Sequence, residues 1–392
     1  TTNNTSGRNP DYSSDVGLSL RQPLLEGAWS EVNLAPLARA QSRADQSLFE
    51  LRSDALDVIA DVEIAYWNLA FAKAARELIA SNFELAESLL EENQERLRLG
   101  IVTKLEVLQA ETELLNQQED IIQAERLIED SEDSLRRLVG EVSMMADLSG
   151  DIAVAQLNRQ LPPLRPIGEV VRDTILSDAD AHAQEKAIEV ARINRLLAED
   201  DTKPQLDFVG RLDYLGRDDN GEEALRGAYR ADGYNWSAGL EVRFPWGFRE
   251  ARGRTRQAQR DLDQEVVRLY DIKQEKAFAA RNAWREVQAG MKRIDVTSQA
   301  LSANEESFEQ ERARFGSGLI AYRQVLEAQR DLDRAKRNHL VAIIDSTRAL
   351  VRMSRVDGTI LARNGYSWEQ LDRLAVPPVL DDHALADEIQ NY

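Results

Sequence analysis

Tyr234-Asn235-Trp236-Ser237-Ala238-Gly239-Leu240-Glu241-Val242-Arg243-Phe244-Pro245 alternates up to its closing proline. Tyr, Trp, Ala, Leu, Val and Phe fall on one side of an extended chain, and Asn, Ser, Gly, Glu and Arg on the other. That period of two gives a strand one apolar and one polar face. About ten such residues match a strand that crosses a bilayer at a tilt, which needs ~9–11. An amphipathic strand of a soluble sandwich has the same pattern, so the stretch alone leaves both readings open. Residues 15–21 alternate likewise, and 205–214 do so with one exception, Val209. Tyr12, Tyr214, Tyr234, Trp236, Phe244 and Trp246 stand at or near strand ends, as aromatic girdles do. The polar segment 216–233 reads as an external hairpin loop.

Outward from these strands the pattern turns helical. Residues 37–99 hold no Pro or Gly, and apolar or small residues recur at Leu48, Leu51, Ala55, Ile59, Val62, Tyr66 and Leu69. This 3/4 spacing is a coiled-coil-like seam. Roughly 63 residues at ~1.5 Å rise make a helix of about 95 Å, far longer than the ~8–20 residues of a globular helix. Gly100 breaks it. Thr103, with Glu106 three residues on, has the capping-box spacing, and a second helix is predicted over about 104–139, ended by Gly140. Residues 254–315 repeat the plan with only Gly290 inside; Gly316-Ser317-Gly318 breaks the run, and a partner helix follows over about 320–351.

The chain is therefore an internal repeat with an offset of roughly 217 residues. Arg98-Leu99-Gly100 followed by Glu106-Val107-Leu108-Gln109-Ala110 parallels Phe315-Gly316-Ser317-Gly318-Leu319 followed by Gln324-Val325-Leu326-Glu327-Ala328. Ala65-Tyr66-Trp67 parallels Asn282-Ala283-Trp284. Leu18-Ser19-Leu20-Arg21-Gln22-Pro23 parallels Leu240-Glu241-Val242-Arg243-Phe244-Pro245, and each of these strands passes through a Gly (Gly27, Gly247) into a long helix. Proline cannot donate to a ladder, so it suits a strand exit.

Composition narrows the function. The 392 residues include 49 Lys+Arg against 69 Asp+Glu, for a net charge of −20, with no Cys and three His. Disulfides and Cys-ligated metal sites are excluded, and nucleic-acid binding driven by net charge is disfavoured because phosphates would be repelled. No run reaches the ~18 apolar residues of a transmembrane helix, so hydropathy windows read the chain as soluble; such windows miss strands whose every second residue is polar. Thr1-Thr2-Asn3-Asn4 lacks the pattern of a signal peptide, which reads as a mature, trimmed or cytosolic chain.

Taken together, the duplicated order of strand, Pro, Gly, long helix, Gly turn and helix resembles the TolC family of outer-membrane efflux and secretion channels. The resemblance covers about residues 13–355. It rests also on Ala65-Tyr66-Trp67-Asn68-Leu69 and on the two turn regions quoted above, repeated at matching places. It implies a mainly α fold with a small β part: a homotrimer closing one twelve-stranded transmembrane barrel, continued by a long α-helical barrel through the periplasm. One protomer cannot close a barrel, and open edges are untenable in lipid. On this plan 1–31 is a barrel strand and 32–140 the first helical hairpin. Residues 141–203 are an equatorial connector with the first helix of repeat two, and 204–247 a barrel hairpin. The second helical hairpin is 248–351, and 352–392 an equatorial tail. The second half leads with a helix and a strand that the first half lacks, so the natural N-terminus is expected to be missing.

The resemblance also locates function. It implies that the hairpin tips, Leu99-Gly100-Ile101 and Ser317-Gly318-Leu319, dock onto a periplasmic adaptor attached to an inner-membrane pump, ABC-type or proton-driven. They resemble a Val-Gly-Leu tip pattern with substituted flanks. Glycine permits positive φ and an exposed Ile or Leu is a small apolar anchor; the alternative is that these glycines only end helices. The implied pore constriction falls at Gln324 and Glu327, with Glu106 and Gln109 as first-half equivalents. Only Glu327 keeps the acid expected there, and threefold symmetry would make it a cation-favouring ring. Glu106 is equally explained as a helix cap. Arg314 and Arg323 lie near enough to hold a closed state by ion pairs. The barrel's aromatic girdle is assigned to Tyr214, Tyr234, Trp236 and Trp246. No catalytic, metal or cofactor residue is expected: His182, His339 and His383 lack metal-ligand spacing, with His339 read as solvated, and Gly316-Ser317-Gly318 is neither a nucleophile elbow nor a phosphate loop. The competing readings are a non-channel coiled-coil scaffold, and the adaptor itself, against which two hairpins argue.

Overall fold

The computed structural model describes residues 12–140, 152–155, 157, 161–218, 220–230 and 233–369. Much of the predicted connector between 141 and 160, and the tail beyond 369, lie outside the described residues. The described chain forms two compact units, one of residues up to Glu50 with Asp180–Ile272, the other of Leu51–Ala179 with Lys273 onward.

The first unit holds the strands. β1 (Tyr12–Pro23), β2 (Gln205–Asp218) and β3 (Gly233–Arg243) form one antiparallel sheet in the order β1-β2-β3. Leu18 pairs with Leu212 and Leu212 with Trp236, so the apolar positions of all three strands share rungs. Val16, Leu18, Leu20, Trp236, Leu240 and Val242 lie exposed on that one face. The opposite face is charged and paired: Arg21 binds Asp207 and Glu241, both at 2.7 Å, and Arg211 binds Asp213 at 2.7 Å. The strands are longer than the alternation alone predicts, because β1 and β2 stay paired from Tyr12–Asp218 to Pro23–Asp207.

The predicted hairpin loop is corrected in part. Within 216–233 the chain forms helix α5 (Gly221–Arg230), which buries Ala224, Gly227 and Ala228. Its small residues allow it to lie flat on the sheet: a Cβ at Gly216 would overlap the Ala224 carbonyl oxygen, and Ser14 Oγ donates to that same oxygen at 2.6 Å. Below the sheet, α4 (Ala179–Asp200) packs Ile188 and Ala191 against Leu262 of α6 (Arg249–Gly316). Strand β3 enters α6 through a 3-10 turn, Trp246–Phe248, in which Gly247 has φ 78° and Phe248 φ 47°.

The second unit is helical. α1 (Ser30–Arg98) and α2 (Lys104–Val139) make one hairpin, and α6 with α7 (Tyr322–Val356) the other. α1 begins before the predicted start and carries Pro36 within it; proline lacks the N–H that would bond Val32, one ladder bond in a very long helix. Within the stretch expected as an equatorial connector lies α3 (Ile167–Ser177), which follows Pro162-Pro163 and Pro166. Pro166 sits at its N-cap. An aromatic side chain of each repeat motif holds this connecting chain, though at different positions of the motif: Tyr66 Oη accepts from Ala155 N at 2.7 Å, and Trp284 Nε1 donates to Arg165 O at 2.9 Å. Short α8 (Ile360–Arg363) packs Ile360 and Leu361 with Leu56, Ala60 and Val351.

Candidate functional site

The two hairpin turns are the same device built twice. In the first, Gly100 N–H bonds Leu97 O at 3.0 Å and Ile101 N–H bonds Arg96 O at 2.9 Å; in the second, Gly318 N–H bonds Phe315 O at 2.9 Å and Leu319 N–H bonds Arg314 O at 3.0 Å. This is the Schellman pattern, which satisfies orphan carbonyls at a helix end. It needs a left-handed residue, and Gly100 and Gly318 both have φ 72°. Gly318 is therefore the counterpart of Gly100, while Gly316 is the last residue of α6. Each turn leaves apolar side chains in water: Leu99 is 74% exposed, Ile101 61% and Leu319 72%.

Behind the turns the hairpins are locked to each other. Leu89, Val102 and Ala110 share one core cluster with Phe308, Phe315, Tyr322, Val325, Leu326 and Leu332. Arg96 lies 4.2 Å over the Phe315 ring and donates to the carbonyls of Phe315 at 3.0 Å and Gly316 at 3.3 Å. The guanidinium thereby satisfies the end of α6 from the opposite hairpin and adds a cation–π contact. Further in, Arg330 of α7 binds Glu113 of α2 at 2.9 Å. Burial with Glu113 nearby pushes the Tyr322 phenol up to about 12.

The expected constriction residues divide. Glu106 closes the predicted capping box: its Oε2 accepts from Thr103 N at 2.7 Å, and Thr103 Oγ1 accepts from Glu106 N at 3.4 Å. Gln324 and Glu327 are exposed in the first turns of α7, and Glu327 pairs along the helix with Arg323 at 3.0 Å. Arg314 pairs within α6 with Glu311 at 3.0 Å. Buried polar groups that the sequence did not single out lie on α7 itself. Gln329 has neither amide atom partnered, and Asp333 has Oδ1 unpartnered. Burial pushes the Asp333 carboxyl up to about 6. The missed signal is that Gln329 and Asp333 fall four apart on the seam carrying Val325 and Leu332.

His339 is corrected: it is buried, with Nδ1 3.1 Å from Thr297 Oγ1 of α6. Among the described residues no group of three or more His, Asp or Glu could hold a metal ion, and no helix is long and apolar enough to cross a membrane. Of the aromatic set, Tyr234 and Trp236 stand exposed on the apolar face of β3 and Tyr214 beside them on β2. Trp246 lies past the strand in the 3-10 turn, edge-on to Phe244 at 6.0 Å.

Known proteins share this architecture. The family model described as outer membrane efflux protein matches residues 1–141 and 170–359, one segment per repeat. The outer-membrane channel OprN is 17% identical with a TM-score of 0.72, covering 89% of this chain and 81% of its own. The outer membrane protein VceC of Vibrio cholerae is 17% identical with a TM-score of 0.71, over 89% of this chain and 87% of its own. The open state of the Neisseria gonorrhoeae outer membrane channel MtrE is 18% identical with a TM-score of 0.68, over 88% and 80%. At such identities the likeness is one of fold. No curated protein is matched by sequence.

Proposed function

The chain belongs to the outer membrane efflux protein family, and from that premise we propose that it is the exit duct of a tripartite envelope exporter. It is an outer-membrane protein, of a family of passive channels rather than enzymes. In our reading three copies join their sheets edge to edge into one barrel, to which the three described strands of each copy give nine of the twelve strands expected, and the helical hairpins carry the duct through the periplasm. There the tips meet a periplasmic adaptor that an inner-membrane pump drives.

One observation carries the reading: two turns about 218 residues apart use the same Schellman geometry to present exposed apolar side chains, and Arg96 fastens them together. Glycine caps that only ended helices would not need Leu99, Ile101 and Leu319 left in water. A coiled-coil scaffold would leave the exposed apolar face of the sheet with nothing to cover it, whereas lipid covers it. Gln324 and Glu327 belong to the proposed constriction. Glu106 contributes there only as far as its cap leaves it free.

Planar-bilayer conductance of the purified trimer tests the duct. Discrete channels are expected, and their absence from a folded trimer overturns it. Docking is tested by Leu99→Asp with Leu319→Asp: conductance should persist while export from cells is lost. Undiminished export would remove the tips from the adaptor interface.

A further inference from the structure

We infer that α5 is an interfacial anchor, lying in the headgroup layer of the outer leaflet against the outside of the barrel; this rests on the outer-membrane reading above. The chain's own path fixes the end of the sheet concerned. Pro23, Gln205 and Arg243 stand at the end that leads to α1, α4 and α6, so the segment joining β2 to β3 stands at the far, external end.

The register fixes the face. Ser14 and Gly216 share a rung, one step beyond the next apolar rungs, which pair Val16 with Tyr214 and Tyr214 with Tyr234. Positions two apart point to the same side, so Ser14 and Gly216 lie on the face of Val16 and Leu18, the one turned to lipid. α5 is seated on that face, through Ser14 Oγ and the space left by Gly216. A loop serving only the aqueous mouth would have no cause to fold onto the lipid side.

The helix is divided to match. At ~100° per residue, Ala224, Gly227 and Ala228 form the inner face, and these are its buried residues. Leu225 and Tyr229 form one outer shoulder, 47% and 75% exposed. Arg226 and Arg230 form the other, with Glu222 between, and Arg226 pairs with Glu222 at 2.6 Å. A helix with one apolar and one charged shoulder, at the level of Tyr214 and Tyr234, suits the boundary between acyl chains and water. The apolar shoulder continues the lipid-facing band, and the charged one meets headgroups and water.

The absence of cysteine makes the test direct. Single variants Tyr229→Cys, Leu225→Cys, Arg226→Cys and Leu240→Cys are labelled with an environment-sensitive fluorophore in the full-length protein reconstituted into phospholipid vesicles. Quenching is read with a nitroxide-bearing lipid and, separately, with aqueous iodide. We expect positions 225 and 229 to lose most of their emission to the lipid quencher, as position 240 does, and position 226 to lose it to iodide. If 240 responds to lipid while 225 and 229 respond only to iodide, the anchor is overturned and the barrel stands. If 225 and 229 respond to neither quencher, protein covers them, which also overturns it. If 240 itself ignores the lipid quencher, the outer-membrane reading fails with it.

Discussion

Two glycines bear most of the cost of the tips. A Cβ at Gly100 or Gly318 meets nothing within 4 Å, yet both have φ 72°, so an alanine there is penalised by backbone conformation alone. Gly100→Ala and Gly318→Ala should each destabilise the protein by about 1 kcal/mol, read as a lower thermal midpoint; melting at the wild-type temperature would show that the turn does not need the left-handed form. Asp333 sets a different limit. Its carboxyl is buried and raised from 3.8 to about 6 by desolvation, with Glu113 and Asp120 of α2 adding to the rise and Lys336 and Arg337 of α7 opposing it. The folded value lies above the unfolded one, so the stability it contributes is full below 3.8 and is lost as pH rises through about 6. Asp333→Asn removes that loss. The variant should be more stable than wild type at pH 8 by up to about 3 kcal/mol and indistinguishable from it near pH 4. A stability difference that does not change with pH, measured by denaturant unfolding, would count against a charged Asp333 in the fold.

Between helices the decisive quantity is how closely they approach. A Cβ at Gly290 of α6 would overlap Oγ of Ser346 on α7 and stand 3.0 Å from its Cβ. On an exposed helix Gly→Ala gains up to ~1 kcal/mol; here Gly290→Ala should instead lose about 1–3 kcal/mol, as overpacking does. Adding Ser346→Gly should recover part of it, a coupling that thermal melts of both singles and the double would show. Gly290 was visible in the sequence as the one glycine of its run, but not its partner 56 residues away. The same boundary separates what could be read from what could not. The Thr103–Glu106 box and the Gly140 cap are local and were legible from spacing. The turn pair was legible as a repeat, although which of Gly316 and Gly318 takes positive φ depends on hydrogen bonds rather than residue type. α5 was hidden because Gly221 and Gly227 and its charges have loop composition; contact with Gly216 and Ser14 stabilises it as a helix. His339 was misread because its charged sequence neighbours conceal that it faces Thr297. Arg96 gave no sign of Phe315, a partner in the other repeat.

Over the molecule as a whole, the question is where the net charge of −20 acts. The polar face of the sheet is nearly self-neutral: Arg21 is shared by Asp207 and Glu241, Arg243 also binds Glu241 at 3.2 Å, and Arg211 binds Asp213. A barrel built from three such sheets offers ions a lining of compensated charge and little preference of its own. Selectivity in the proposed trimer then falls to the narrow periplasmic end, where Glu327 is exposed and pairs with Arg323 on its own helix. Exposed pairs of this kind are weak and screened by salt, so three copies of Glu327 keep most of their field at low ionic strength. Glu327→Gln should therefore reduce the cation preference of the channel in planar bilayers. Arg323→Ala, which releases the carboxylate, should increase it, and both effects should fade as salt is raised. If reversal potentials under a salt gradient are the same for wild type and both variants, the preference belongs to the fixed charge of the whole wall, and Glu327 is not at the constriction.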